Sequence, residues 1–385
     1  MSKLLKTMPQ NNKLKIAYVL DDGLDVPNGV QQYILSIGEW MRSQGNDVHY
    51  IVGQTSRRDI KNIHSLSKNI KVKFNGNVGT MPLPVSASKI KQLLHDEQFD
   101  ILHVQMPYSP FYAHKIIKHA PKSTIVVGSF HIAPNSAVVT FANSMLGIWL
   151  KSSLKRFDKF LSVSESASDF AMKTFKINSQ ISPNVVDYSL FNQAKPFSEY
   201  QDNKLNILFL GRLVQRKGCM QLLKAINQIK NIDVPFRVLI CGKGPLLSEL
   251  QTYVNDNDIT DLVEFKGYVT EEEKLRYYKS ADIAVFPSSG GESFGIVLLE
   301  AMCSGNTAVL AGDNSGYRAV LGVKPEVLFN PSDTNELAEK LMKLLVNQEY
   351  RNSLANWGHE YVKNYDINFI GPKLFDIYNN SLQKS

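Results

Sequence analysis

Cysteine is scarce in this 385-residue chain: there are three, Cys219, Cys241 and Cys303. The number is odd, the spacings are wide and no C-x-x-C pair occurs. That excludes a disulfide framework and a thiolate zinc site, and it points to a reducing compartment. Long apolar runs are also missing. The first, Leu14–Leu20, has strand length and follows a polar, basic start, Met1–Asn12, so no signal peptide is expected. The stretch Ala137–Leu150 (AVVTFANSMLGIWL) is largely apolar but has 14 residues, short of the roughly 20 a spanning helix needs. Two readings stay open for it. One is a buried core helix; the other is a surface helix dipping into lipid ahead of Lys151, Lys155, Arg156 and Lys159. Ser88–Leu94 is a second basic amphipathic candidate. There is no low-complexity tract and no repeat beyond the two halves. No complete G-x-G-x-x-G follows a strand, which speaks against a dehydrogenase, and Gly242-Lys243-Gly244-Pro245 is no P-loop. Asp256-Asn257-Asp258 has the D-x-D form but lies in a polar stretch after a helix and reads as a loop. No other acidic cluster has metal-ligand spacing, so no required metal is expected.

Hydrophobic content of 43% and charged content of 21% are ordinary for a globular protein, and the length favours two domains. The net charge of +7 is unevenly spread. Residues 1–190 carry 22 Lys+Arg against 13 Asp+Glu, and residues 191–385 carry 21 against 23. The basic half suits an anionic partner such as a membrane surface; a Lys-rich solvated face is the alternative. It lacks the aromatic-interleaved pattern of a nucleic-acid binder.

Strand-like and helix-like segments alternate through the first half. Strands are expected at Leu14–Leu20, Asp47–Gly53, Ile70–Phe74, Asp100–Gln105, Thr124–Phe130 and from Phe160. Helices are expected at Val30–Ser43, Ser86–Glu97, Ser136–Phe157 and Ser166–Lys176. The polar, Pro-containing run from Pro183 to Asn203 reads as a linker. Alternation then restarts, with strands at Asn206–Leu210, Phe236–Cys241, Val263–Phe265, Asp282–Phe286, Thr307–Leu310 and Val327–Phe329, before a helical tail. The pattern implies two doubly wound parallel-sheet α/β domains, with ligand expected in a cleft between them at the strands' carboxyl ends.

One stretch stands out within this frame. The apolar run Asp282–Ser288 leads into Gly290-Gly291-Glu292-Ser293-Phe294-Gly295 and then an apolar segment of helical length. A helix opening near Glu292 and Ser293 offers free N–H groups to phosphates or sugar hydroxyls. Glu292 and Glu300 would then share a face, about 12 Å apart along the axis. A ligand held at both ends is one reading. A dipole-favoured first-turn Glu with a solvated second Glu is the other.

The loop Gly211-Arg212-Leu213-Val214-Gln215-Arg216-Lys217-Gly218 follows a strand and precedes a helix, and its cations suit a diphosphate. In the other half its counterpart is Asp25-Val26-Pro27-Asn28-Gly29-Val30-Gln31, where Gly29 permits close backbone approach. His131 falls at a predicted strand end, within reach of a sugar hydroxyl. His49, His95, His103 and His119 have no such placement and read as surface or filler.

These residues together resemble glycosyltransferase family 4, with its two-domain GT-B fold. Gly291-Glu292-Ser293-Phe294-Gly295 through Glu300 is similar to the family's E-x7-E element. Gly211-Arg212 with Lys217-Gly218 and Pro183-Asn184-Val185-Val186-Asp187 are similar to its other landmarks, with Val185 where glycine is usual. Within the family the chain looks most like the bacterial phosphatidylinositol α-mannosyltransferases, on Asp25–Gln31, Phe99–His103, Ser129-Phe130-His131 and Gly290–Met302. Asn28 replaces a glycine of that group, and Ile132 stands where it has a polar residue.

The resemblance implies two Rossmann-like domains facing a central cleft: 1–190 binding acceptor, 191–365 binding nucleotide-sugar, and 366–385 a helix packing back on the first. It implies a retaining, metal-independent hexosyltransferase using GDP-mannose or a UDP-sugar, with no separate cofactor. The acceptor is a phosphatidylinositol-like lipid or, alternatively, another glycolipid, a soluble acceptor or a polysaccharide, and the protein would be peripheral at the cytoplasmic face of the membrane. A non-catalytic nucleotide-sugar-binding protein is a remote alternative. By carry-over, Arg212 and Lys217 hold the diphosphate and Gly29 approaches it. Glu292 contacts the donor sugar with Ser293, Phe294 and the Gly295 and Ile296 amides nearby, and Glu300 takes the ribose. His131 orients the transfer, and Gln31 lies on the acceptor side.

Overall fold

The structure is a computed structural model that describes residues 13–25, 29–74, 77–107, 112–131 and 150–383. Contacts divide the chain into two compact units. One comprises Met1–Phe130, Asn143–Leu161 and Gly371–Ser385; the other comprises His131–Ala142 and Ser162–Ile370.

The first unit is built on β1 (Lys15–Leu20), β2 (Asp47–Val52), β3 (Ile63–Ser65), β6 (Ile101–Gln105) and β7 (Ile125–Phe130). Together with β8 (Lys159–Ser162) and β9 (Gln180–Ile181) they form a sheet of order β3-β2-β1-β6-β7-β8-β9. The pairs from β3 to β7 are parallel, with Tyr18 opposite both Tyr50 and His103. β6 and β7 are buried throughout, as near-continuous apolar strands of a covered parallel sheet should be. Helix Gly29–Ser43 buries Tyr33, Ile34, Ile37, Trp40 and Met41 at helical spacing. Helix Ala87–Glu97 starts where Ser86 accepts from the Lys89 amide and stops at Gln98 in the left-handed region. In the terminal segment of this unit the Tyr378 hydroxyl lies 2.7 Å from His103 Nδ1.

The first half is not uniformly βαβ. β4 (Asn69–Phe74) pairs antiparallel with β5 (Asn77–Pro82) in a separate two-stranded sheet. The expected strand exists, but a tight hairpin follows it in place of a crossover. The expected helix Ser136–Phe157, and with it Ala137–Leu150, lies largely outside the described residues, as do Val26, Pro27 and Asn28. None of the described helices is long and apolar enough to cross a membrane.

The second unit holds β10 (Leu205–Leu210), β11 (Phe236–Cys241), β12 (Val263–Gly267), β13 (Ile283–Phe286), β14 (Ala308–Gly312) and β15 (Leu328–Phe329), in the order β12-β11-β10-β13-β14-β15. All their pairings are parallel. The chain winds outward from β10 in one direction and then from β13 in the other. The switch point therefore lies between β10 and β13, and ligands of such sheets bind beyond the strand ends at that point. Before the sheet, the run expected as a linker holds a short helix, Tyr188–Asn192, capped by Asp187, and a 3-10 turn at Ser198–Tyr200. Helix Ser166–Lys176 is in fact an α-helix, Glu165–Phe170, widening into a π-helical turn, Ala171–Phe175.

Candidate functional site

The two loops at the switch point of the second sheet are those that carry the cations and Glu292. After β10 the chain runs through Gly211 and the exposed Arg212 into a 3-10 turn, Gln215–Lys217, closed by Gly218 at φ 73°. A Cβ on Gly218 would meet the Pro287 carbonyl oxygen at 2.0 Å. Glycine here lets the loop after β10 lie backbone-to-backbone on the loop after β13. The contact is then sewn: the Ser289 amide donates to the Arg216 carbonyl at 2.9 Å, and Ser288 Oγ lies 3.0 Å from the same oxygen.

That docking brings the charges together. Lys217 Nζ, Arg216 Nη1 and Ser288 Oγ each lie 2.8 Å from Glu292 Oε1. All three converge on one oxygen, and among the described residues Oε2 has no hydrogen bond. Burial pushes the Glu292 carboxyl up, but Lys217, then Arg216 and Ser288, more than offset it, and the net shift is downward from 4.5. Its contribution to stability is therefore present above pH 4.5 and is lost as pH falls through the lowered value. Arg212 is shifted down by burial and by repulsion from Arg216. A concentration of like charge of this kind is relieved by an anion.

Glu292 does not sit in a helix. The helix begins at Ile296, capped by Gly295 at φ 95°, and ends at Cys303. Any side chain at 295 would strike the Tyr317 ring, 2.6 Å from its Cβ. The eight-residue separation of Glu292 and Glu300 is thus not two turns of one helix, and the axial spacing expected from sequence does not apply. Nor are the two carboxylates solvated. Glu300 is buried at 4% exposure, with Oε1 2.8 Å from Lys274 Nζ and Oε2 accepting from the Tyr278 hydroxyl at 3.1 Å. Lys274 and Tyr278 stand four residues apart and so share a face of helix Glu271–Ser280, which opens with a Thr270/Glu273 capping box.

Arg216, Ser288, Lys274 and Tyr278 are the residues that sequence reasoning did not assign. Arg216 was legible as a cation of the loop. Ser288 stands four residues before Glu292 in the same loop, whereas Lys274 and Tyr278 meet Glu300 only through tertiary packing and leave no local signal.

The remaining expected residues are placed as follows. Phe294 is buried edge-on to Tyr365, their centroids 5.8 Å apart. The Ser293 carbonyl accepts from Ser164 Oγ at 3.1 Å. Gly29 opens its helix, and no atom of the described residues lies within 4 Å of a would-be Cβ. Gln31 is buried, and its side-chain amide donates to Asp22 Oδ2 at 3.0 Å and to the Gly23 carbonyl at 3.3 Å.

His131 directly follows β7 and is buried at 3% exposure, which lowers its pKa from 6.5 to about 3. It is a neutral imidazole at physiological pH. Below pH 6.5 the unfolded chain takes up a proton here that the folded chain refuses, so this residue makes stability fall with pH until about pH 3. In urea melts between about pH 6 and pH 4, His131→Gln should lose less stability than wild type, by up to about 1.4 kcal/mol per pH unit. Parallel pH profiles would show instead that this imidazole protonates freely in the fold.

Comparison with known proteins agrees with this architecture. The profile "Glycosyltransferase Family 4" matches residues 27–190, and "Glycosyl transferases group 1" matches residues 191–360. A phosphatidyl-myo-inositol mannosyltransferase of Mycobacterium leprae is 29% identical over 371 residues, covering 95% of this chain and 96% of its own. A D-inositol 3-phosphate glycosyltransferase of Corynebacterium urealyticum is 31% identical over 178 residues, covering 44% of this chain and 42% of its own. Among solved structures, a glycosyltransferase from Rickettsia africae superposes with a TM-score of 0.76 at 18% identity, covering 97% of this chain and 100% of its own. Two consecutive parallel-sheet units, matched in turn by these two profiles, make this chain a glycosyltransferase of family 4 with the GT-B fold.

Proposed function

We propose that the protein moves mannose from GDP-mannose to a phosphatidylinositol-like lipid, with retention of anomeric configuration and without a metal. The observation that carries the transferred sugar and the acceptor is the likeness, over 95% of the chain, to relatives named phosphatidyl-myo-inositol mannosyltransferase.

The chemistry of the loops supports the reaction type. Arg212, Arg216 and Lys217 supply the positive charge that a leaving diphosphate needs, pre-arranged before any ligand arrives. Glu292 holds Lys217 and Arg216 through Oε1, which leaves Oε2 to accept a hydroxyl of the donor sugar. Its charge also steadies a sugar carbon that becomes oxocarbenium-like. With Oε1 taken by three donors and Oε2 given to the sugar hydroxyl, neither oxygen is assigned as a nucleophile. A same-face substitution therefore fits better than a covalent intermediate. In that step the bond from the anomeric carbon to the diphosphate breaks, the acceptor oxygen bonds to that carbon, and the acceptor proton passes to the leaving phosphate. Glu300, its oxygens steadied by Lys274 and Tyr278, retains lone pairs for the ribose hydroxyls. Ser293, Phe294 and the Gly295 and Ile296 amides line the sugar. Gly29, His131 and Gln31 keep the diphosphate, transfer-orienting and acceptor roles that the family resemblance implies. The basic amino-terminal half supplies attraction to an anionic bilayer.

The likeness to a D-inositol 3-phosphate glycosyltransferase supports a second reading, a soluble inositol phosphate acceptor. One experiment separates the two. A thermal-shift screen of GDP-, UDP- and ADP-sugars identifies the donor, because only a bound ligand raises the melting temperature. That donor is then offered phosphatidylinositol in anionic vesicles and, separately, soluble inositol phosphates. A GDP-mannose response followed by a mannolipid product is expected. A soluble product alone would overturn the lipid assignment, and donor binding with no transfer to any acceptor would overturn the enzymatic one.

A further inference from the structure

A second cluster of ligand-type side chains lies in the first unit. His49 is on β2, His64 on the edge strand β3, and Glu97 at the end of helix Ala87–Glu97. β3 pairs with β2 so that His64 stands opposite Ile51. Residues 49 and 51 share a face of their strand, so both imidazoles fall on the face against which Ile90 and Leu94 of that helix pack. The helix runs toward the start of β6, which sets Glu97 at the amino ends of the strands. Sites in such sheets lie beyond the carboxyl ends.

One ligand atom from each residue lies within 4.8 Å of the others. His49 Nδ1 is 2.8 Å from His64 Nε2, His64 Nε2 is 3.8 Å from Glu97 Oε1, and His49 Nδ1 is 3.9 Å from Glu97 Oε2. A tetrahedral zinc ion with bonds near 2.0–2.1 Å separates its ligand atoms by about 3.3 Å. The His49–His64 and His64–Glu97 Oε1 separations bracket that value, and His49 meets the same carboxylate at its other oxygen, so a small shift of the Glu97 carboxylate completes the geometry.

The surroundings fit the same purpose. The two imidazoles are parallel, with an interplanar angle of 1°, and Phe99 stands edge-on to both. Lys15 Nζ lies 2.5 Å from Glu97 Oε2 and so steadies the oxygen other than the one facing His64.

An independent observation comes from the far side of His49. The residue is 5% exposed, and its Nε2 has no hydrogen-bond partner among the described residues, although Asp47 Oδ1 is 3.3 Å away. Metal-bound histidines characteristically donate from the other ring nitrogen to a carboxylate. With Nδ1 on a metal, the Nε2 proton is obligatory and Asp47 is its acceptor.

We propose that His49 Nδ1, His64 Nε2 and Glu97 Oε1 form a binding site for a zinc-class divalent ion, with water as the fourth ligand and Asp47 orienting His49. The ion pins the three-residue edge strand β3 to the end of the neighbouring helix. It takes no part in sugar transfer.

The test uses chelator-stripped, full-length protein without a histidine tag, titrated with Co2+ and followed by its d–d absorption. One equivalent is expected to bind, to raise the melting temperature and to be displaced by Zn2+. His64→Gln and Glu97→Gln should each abolish the absorption, and Asp47→Asn should weaken binding about 10- to 100-fold. His64→Gln should retain its circular dichroism and its sugar-transfer rate. If His64→Gln does not fold, Glu97→Gln alone decides the matter. Absence of the d–d band in wild type, or an unchanged band in a folded ligand variant, overturns the proposal.

Discussion

Lys274→Met should lower the unfolding free energy by about 3–5 kcal/mol, because it leaves the buried Glu300 carboxylate without its cation. The side chains of the pair are 8% and 6% exposed, so solvent screens them little. Burial pulls the Lys274 pKa down, but Glu300 and then Glu271 pull it up further, and the lysine stays charged. The Tyr278 hydroxyl alone cannot offset a buried negative charge. The double variant Lys274→Met/Glu300→Leu removes both charges and should recover most of the stability, since apolar pairs of similar volume replace buried ion pairs at little cost. It should not recover transfer, if Glu300 holds the ribose. Urea melts together with transfer rates on both variants check the two halves of this statement. Equal stability of wild type and Lys274→Met would show that Glu300 reaches water in the fold.

Glu292→Gln should reduce the transfer rate by about 100- to 1,000-fold, the range for loss of one pre-organised electrostatic contact at a reacting centre. The amide keeps the size of the side chain and one oxygen acceptor. It removes the charge that gathers Lys217 and Arg216, and it removes the anion that faces the sugar. The loss should fall mainly on kcat, because Arg212 and the loop backbone still meet the diphosphate. Steady-state rates with the donor identified by thermal shift check this, and a rate within about threefold of wild type would remove Glu292 from the chemistry.

Much of this is legible in the sequence alone. The apolar run ending at Phe286 is short enough to be a buried strand, and it is one. A strand followed by Gly211-Arg212, and another followed by Gly290-Gly291-Glu292, put the cations and the carboxylate at strand ends. The structure adds the reason they meet: β10 and β13 flank the switch point, and Gly218 lets their loops touch.

What sequence could not yield was any contact set by packing. The apolar segment from Ile296 onward has helical length, but that does not tell that Gly295 takes a left-handed conformation and keeps Glu292 outside. Lys274 and Tyr278 lie on an amphipathic helix whose orientation toward Glu300 is written nowhere locally. The strand at Asn69–Phe74 looks like its parallel neighbours because strand propensity is blind to the direction of its partner. His49, His64 and Glu97 come from three separate segments, so no ligand-spacing motif joins them.

The central claim is that the loops after β10 and β13 form the diphosphate end of a nucleotide-sugar site. Calorimetric titration of GDP and UDP into wild type and Lys217→Ala tests it most directly. One nucleotide should bind wild type and should bind Lys217→Ala about 10- to 100-fold more weakly, an amount corresponding to the roughly 1.5–3 kcal/mol of a charged hydrogen bond. Equal affinity of both proteins for the same nucleotide would contradict the account.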